Sequence, residues 1–210
     1  MIYLISDLHG GEDIDGFEKY LSYATDDDLL IILGDVELNF GNTPENKCFT
    51  DWFLSVDKQI ALVDGNHDNH PYLRSFHEEE WCGASVHRLT DSIVYLKRGN
   101  IYEIENKSYF VMGGCKSSQK WFDKGLVYDF EDPSEEEVAF AVENLKRYGN
   151  RVDYILTHKY GKNYDTPLQR LTDYIDENIS FKEWFSGHWH KFEKIDDRHT
   201  VIFKDAQKIN

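Results

Sequence analysis

The stretch ALVDGNHDNHPYL, residues 61 to 73, runs an apolar segment straight into glycine, asparagine, histidine and aspartate, then adds a second Asn-His pair. Nothing in the burial of a strand calls for such an ending, since these side chains prefer water or a metal. After one strand, four polar residues make an ordinary turn. Here the arrangement recurs. Asp7-Leu8-His9 follows the run Ile2 to Ile5, Gly34-Asp35 follows LLIIL, Thr157-His158 closes VDYILTH, and Gly187-His188-Trp189-His190 closes KEWFSGHWH.

The spacing of apolar residues supplies the frame. IYLI reads as a strand, Ile14, Phe17 and Leu21 fall on one face of a helix, and DLLIILGD reads as a buried strand, which makes a β-α-β opening. A helix near CFTDWFLSV leads into the strand QIALVDGN, after which strands dominate from Val86 to Met112, with NIYEIENKSYFVM as a hairpin. Ser134 and Glu137 form a capping box, Val138, Ala141, Val142, Leu145 and Tyr148 share a helical face, and Gly149 stops that helix. The strand VDYILTH, a helix after Pro167, the strand KEWFSGHWH and a pairing of KFEKI with TVIFKD complete the chain.

Parallel strands place their carboxyl ends on one edge of a sheet, and ligand sites in open α/β sheets form there. The five polar clusters therefore converge. On an extended chain, side chains two apart point the same way, so Asp7 and His9 address one centre. His188 and His190 either clasp one metal or serve two neighbouring ones, and glycine before the ligands lets backbone approach closely.

Size and charge bound the function. The 210 residues fit one domain spanning 1–210, with no repeat, linker or low-complexity tract. With 23 Lys+Arg against 39 Asp+Glu the net charge is -16, which disfavours a general grip on nucleic acid. No apolar run is long enough for a signal segment or a membrane span, so a soluble, cytoplasmic protein is expected. Cys48, Cys82 and Cys115 are odd in number and widely spaced, and are read as reduced structural thiols.

Imidazoles, carboxylates and an amide oxygen make a mixed N/O set without thiolate, suited to Mn, Fe or Zn. The set exceeds one tetrahedral zinc but suffices for two ions sharing a carboxylate. Two ions about 3.5–4 Å apart hold both the attacking and the leaving oxygens of an in-line displacement. Phosphoryl transfer is the chemistry that fits best.

The ordered series Asp7-x-His9, Gly34-Asp35, Gly65-Asn66-His67-Asp68, His158 and Gly187-His188-x-His190 resembles the calcineurin-like metallophosphoesterase superfamily over nearly the whole chain. The resemblance implies a four-layer α/β/β/α sandwich of two mixed sheets flanked by helices. It implies that Asp7, His9 and His190 bind one metal, that Asn66, His158 and His188 bind the other, and that Asp35 bridges. It also implies two divalent ions (Mn first, with Fe, Zn or Ni as alternatives), a bridging hydroxide as nucleophile, and His67 as general acid oriented by Asp68. The expected substrate is a small phosphoester. The main alternative is a non-catalytic metal-binding scaffold of the same fold, and a nuclease is disfavoured by charge.

Departures from the pattern narrow the reading. Protein phosphatases of the superfamily carry arginines after the second and third motifs, whereas Asp35 here leads into Val36-Glu37 and Asp68 into Asn69-His70. Arg74 lies further on and reads as an exposed helix arginine. Asp68 reads equally as an N-cap before NHPYL. His70, His77, His87 and His199 match no motif and are read as structural or surface residues. The stretch 114–133 reads as a loop over the site or over the core, with Lys116 and Lys120 as candidates to meet a phosphate.

Overall fold

Residues 1–161 and 165–209 are described by the computed structural model of the chain. Seven strands form the first sheet: β1 (Ile2–Ile5), β2 (Leu29–Leu33), β3 (Gln59–Val63), β4 (His77–Trp81), β5 (Ala84–Arg88), β6 (Ile93–Leu96) and, from the chain end, β13 (Gln207–Ile209). Six form the second: β7 (Ile101–Ile104), β8 (Lys107–Met112), β9 (Tyr154–Thr157), β10 (Glu183–Ser186), β11 (Glu193–Lys194) and β12 (His199–Val201). Their orders are β13-β1-β2-β3-β6-β5-β4 and β11-β12-β10-β9-β8-β7. In the first sheet β1, β2, β3 and β6 run parallel, and in the second β8, β9, β10 and β12 do. The outer strands β13, β5, β4, β7 and β11 pair antiparallel, so both sheets are mixed.

The continuous apolar runs follow from burial on both faces. Leu4, Ile31, Leu33, Ala61 and Val63 pack against Tyr109, Val111, Tyr154, Leu156 and Phe185 of the other sheet. The alternate residues Ile5, Leu30, Ile32, Ile60 and Leu62 face outward onto α1 (Asp15–Tyr23), α2 (Pro44–Leu54) and α3 (His70–Arg74). After the short α4 (Gln119–Asp123), helices α5 (Glu135–Arg147) and α6 (Pro167–Asn178) cover the far face of the second sheet through Ala141, Leu145, Leu168, Leu171 and Ile175. The layers are therefore helix, sheet, sheet, helix, the four-layer sandwich that the sequence resemblance implies.

Local chemistry sets the helix ends. The Glu137 N–H donates to Ser134 Oγ at 3.1 Å while the Ser134 N–H donates to Glu137 Oε2 at 2.9 Å, the expected capping box. Thr43 and Thr166 cap α2 and α6 ahead of Pro44 and Pro167. Among the described residues no helix is long and apolar enough to cross a membrane.

Three elements differ from the sequence reading. The antiparallel strands begin at His77, before Val86, because β4 is an edge strand whose Glu78-Glu79-Glu80 hides the apolar alternation and keeps the edge charged. β13 returns to pair with β1, which local pattern does not disclose. The stretch 114–133 contains α4, too short to show a helical period.

Candidate metal centre

The parallel strands β1, β2, β3, β9 and β10 end on one side of the sandwich, and the candidate residues follow their ends. The chain does not stay extended there. Asp7, His9, Asp35, His188 and His190 all have left-handed backbone, with φ of 61°, 45°, 57°, 73° and 48°. Asp and His visit this region more readily than most residues, yet five together mark a site held against its local preference. Asp7 and His9 thus converge through turns, which corrects the extended-chain spacing argument. Gly65 is required by close approach, since a Cβ there would lie 2.1 Å from Oδ1 of Asp35.

One group gathers Asp7, His9 and His190. Nε2 of His9 and Nε2 of His190 are 2.9 Å apart, and Oδ1 of Asp7 lies 3.6 Å from His190 and 3.9 Å from His9. A second group gathers Asn66, His158 and His188. Nε2 of His158 lies 3.2 Å from Oδ1 of Asn66 and 3.3 Å from Nδ1 of His188. Asp35 stands between them, its Oδ2 3.9 Å from Nε2 of His9 and 3.4 Å from Nε2 of His158. His188 and His190 accordingly serve different groups.

Surrounding bonds aim these atoms. Nδ1–H of His158 donates to the Leu33 carbonyl at 2.7 Å and Nδ1–H of His9 donates to Oε1 of Glu37 at 2.8 Å, which leaves each Nε2 turned to the site. Such outer partners fix the imidazole tautomer in metal sites. The Asn66 amide donates to Oγ of Ser117 at 3.0 Å, which turns its oxygen inward. The His67 N–H holds Oδ1 of Asp35 at 2.7 Å, leaving Oδ2 toward both groups.

Asp68 has a different task from the two expected of it. Its carboxylate accepts the N–H groups of Gly65, Asp35, Val36 and Glu37 at 2.7 to 3.0 Å, tying the second motif to the third. The N-cap of α3 is Asn69, whose side chain accepts the Tyr72 N–H. The carboxylate nearest the His67 ring is that of Glu37, with Oε1 3.5 Å from Nδ1. Positioning of His67 therefore falls to Glu37 and to Trp121, whose ring meets it edge-on at 4.4 Å.

The clustered groups shift one another's protonation. Burial opposes charge on His158, but Asp35 and Asp7 outweigh it and raise its pKa to about 10. His9 is likewise raised to about 9, burial being outweighed by Glu37, Asp35 and Asp7. Burial and the charge of His158 lower His188 to about 3, so it stays a neutral imidazole, the state a metal needs. For Asp35, burial pushes upward but His158 prevails and holds the carboxylate well below its usual range. Burial lowers His67, with His9 and His158 adding to the effect against Asp35 and Asp68.

The groups open into a cleft of about 840 Å³, walled opposite the polar residues by Phe40, Trp121 and Leu126. The stretch 114–133 therefore lies over the site. Lys116 lines the cleft, whereas Lys120 stands over the Trp121 ring at 5.4 Å. Arg74 is half-buried and occupied by Glu137 at 2.7 Å. His70, His87 and His199 are buried and hydrogen-bonded away from the cleft, and His77 is exposed.

Residues missed in the sequence include Glu37, Lys159 of the cleft wall, Cys115 and the buried pair Asp64 and Arg98. Nε of Arg98 donates to Asp64 at 2.9 Å while Nη2 reaches the carbonyls of Phe130 and Glu131 at 2.8 and 3.1 Å, fastening the covering stretch to the floor of the site. Asp64 ends the same apolar run that precedes Asn66, and a charge at that position was the available signal.

Comparison with known proteins bears on the fold and the family. Among curated proteins no sequence match was found. Phosphopantetheinyl hydrolase from Mycobacterium tuberculosis superimposes with a TM-score of 0.53 at 15% identity, over 96% of this chain and 89% of that chain. A protein of unknown function from Aquifex aeolicus aligns at 18% identity over 86% of this chain and 87% of that chain, with a TM-score of 0.42. At these identities the first likeness is one of fold. The sequence model of the calcineurin-like phosphoesterases matches residues 1–192, from β1 through the last of the clustered histidines. Fold, motif order and match coincide, and the chain belongs to the calcineurin-like phosphoesterases, a family of metal-dependent hydrolases.

Proposed function

We propose that the protein hydrolyses a small phosphomonoester or phosphodiester at a dinuclear divalent metal centre. The observation that carries this reading is the placement of Asp35, one carboxylate oxygen facing Nε2 of His9 on one side and Nε2 of His158 on the other. The residues present fit two ions, because two imidazoles have Nδ1 committed to other acceptors and the Asn66 amide is held oxygen-inward. Asp7, His9 and His190 would hold one ion and Asn66, His158 and His188 the other, with Asp35 shared. When bound, the ions supply a water of lowered pKa and offset charge on the attacking and leaving oxygens.

The chain supplies the rest. His67 lines the cleft with Nδ1 toward Glu37, so Nε2 is the nitrogen left for the leaving oxygen, and it donates a proton there in the imidazolium form. Lys116 at the cleft offsets phosphate charge, and Phe40 and Trp121 wall the space beside it. The volume of the cleft suits a small molecule, since such pockets span about 300–1,000 Å³. A net charge of -16 repels polyanions at long range, whereas a small ester meets mainly the local cations.

The test is a screen of Mn-loaded protein against phosphomonoesters, phosphodiesters, cyclic nucleotides, a phosphopantetheinyl ester, DNA and RNA. Turnover of small esters faster than long nucleic acid is expected. Efficient cleavage of nucleic acid with small esters untouched would overturn the substrate class, and inactivity toward every ester would overturn the activity.

A further inference from the structure

Cys115 follows β8, which runs parallel to β9, so it emerges on the same edge as the other clusters. Gly113 takes it there. A Cβ at that position would lie 2.1 Å from Oδ1 and 2.5 Å from the carbonyl oxygen of Asp64, so the ends of β8 and β3 approach only because residue 113 is glycine. The Gly114 N–H then donates to the Asp64 carbonyl at 2.7 Å, and the next side chain points at Asn66.

The separations around the thiol are those of ligands to one ion. Sγ of Cys115 is 3.1 Å from Oδ1 of Asn66 and 3.7 Å from Nδ1 of His188. His158 closes the ring, 3.2 Å from Asn66 and 3.3 Å from His188. A zinc ion with bonds of about 2.3 Å to sulfur and about 2.0–2.2 Å to nitrogen or oxygen sets tetrahedral ligands roughly 3.2–3.6 Å apart. The 3.2 and 3.3 Å separations from His158 fall inside that range, and the two from sulfur, 3.1 and 3.7 Å, lie just outside its two ends. A cysteine buried for packing alone behaves as a small hydrophobe among carbon neighbours, whereas this one faces two imidazoles and an amide oxygen.

We propose that Cys115 is a direct ligand of the ion held by Asn66, His158 and His188, which gives this half of the centre a preference for zinc over Mn when both are offered, while saturating Mn alone still fills it. The inference rests on the dinuclear reading above. Asp7, His9 and His190 offer only nitrogen and oxygen, so the two positions differ in softness and favour different metals. Ligation takes the thiolate, and the thiol proton leaves to solvent as the ion enters. Asp35 would stand between this ion and the other as the carboxylate they share.

The test is zinc X-ray absorption on metal-free protein reloaded with zinc. A Cys48→Ser/Cys82→Ser variant, measured beside the wild type, leaves Cys115 as the sole thiol. The expected spectrum contains a sulfur shell at about 2.3 Å, lost when Cys115→Ser is added. Two bound zinc ions with a purely nitrogen and oxygen shell, in wild type and variant alike, would overturn the thiolate ligand and leave the dinuclear reading standing. A wild-type chain that binds no zinc would overturn both.

Discussion

Oε1 of Glu37 lies 2.8 Å from Nδ1 of His9 and 3.5 Å from Nδ1 of His67, so one carboxylate orients both a candidate ligand and the candidate proton donor. Glu37 reaches them because its own backbone is left-handed, at φ 66°, and because Asp68 fixes its N–H. Replacing Glu37 by Gln removes the charge while keeping the shape. Metal affinity should fall by about 10–100-fold, as for other outer-shell partners, with the fold intact. Isothermal titration with Mn reads the affinity, and an unchanged Kd would show that the contact does not orient His9.

Asp64 and Arg98 are both buried, and Tyr95 and His70 add to the same carboxylate at 3.1 and 3.2 Å. Asp64→Asn leaves the buried guanidinium with Glu137 alone, 3.2 Å from Nη1, as counter-charge, and removing one partner of a buried pair costs about 3–5 kcal/mol. Urea unfolding should show a loss of that order. A change below about 1 kcal/mol would mean that the pair contributes little beyond its own desolvation.

His67 is separated from its neighbours by what its loss does. His67→Ala should retain both metals, since Asn66 and not His67 is the proposed ligand, yet slow esters with basic leaving groups by about 10²–10⁴-fold. Nitrophenyl esters need protonation less and should lose less. The measurement is a leaving-group series on both proteins with metal content determined on the same samples. Equal dependence on leaving-group pKa would remove His67 as the acid, and lost metal would make it a ligand.

The raised pKa values of His9, about 9, and His158, about 10, set a pH window for the metal-free protein. A histidine raised above its unfolded value near 6.5 binds its proton more tightly when folded. That stabilisation is fully present below about pH 6.5 and is lost as pH rises through the folded values. Thermal melts should therefore show the Tm of the metal-free protein falling between pH 6.5 and 10, with a flatter profile once metal replaces the protons. A metal-free Tm that does not fall across that window would contradict the assignment.

Much of this was legible in the sequence because the signal is directional: an apolar run that ends in Asp, Asn or His reads as a strand pointing at a site. His158 and His188 are found that way, whereas the layering of the sheets came from the resemblance that those motifs carry. Cys115 obeys the same rule but was hidden, because NIYEIENKSYFVM reads as a hairpin and nothing local reveals that the free edge of β8 pairs parallel with β9. Glu37 was hidden by the left-handed turns that replace the extended geometry at Asp35. Asp68 was misread because its four partners are main-chain groups, three of them more than thirty residues away, and main-chain N–H groups carry no sequence signature.

The shared position of Asp35 is tested most directly by counting ions. Metal-free wild type and Asp35→Ala are loaded with saturating Mn, freed of excess and subjected to elemental analysis. The wild type should carry two Mn per chain and Asp35→Ala should lose occupancy at both positions together, with phosphoester hydrolysis falling in step. One ion or none in the wild type, or two tightly held ions and full activity in Asp35→Ala, would contradict a dinuclear centre bridged by Asp35.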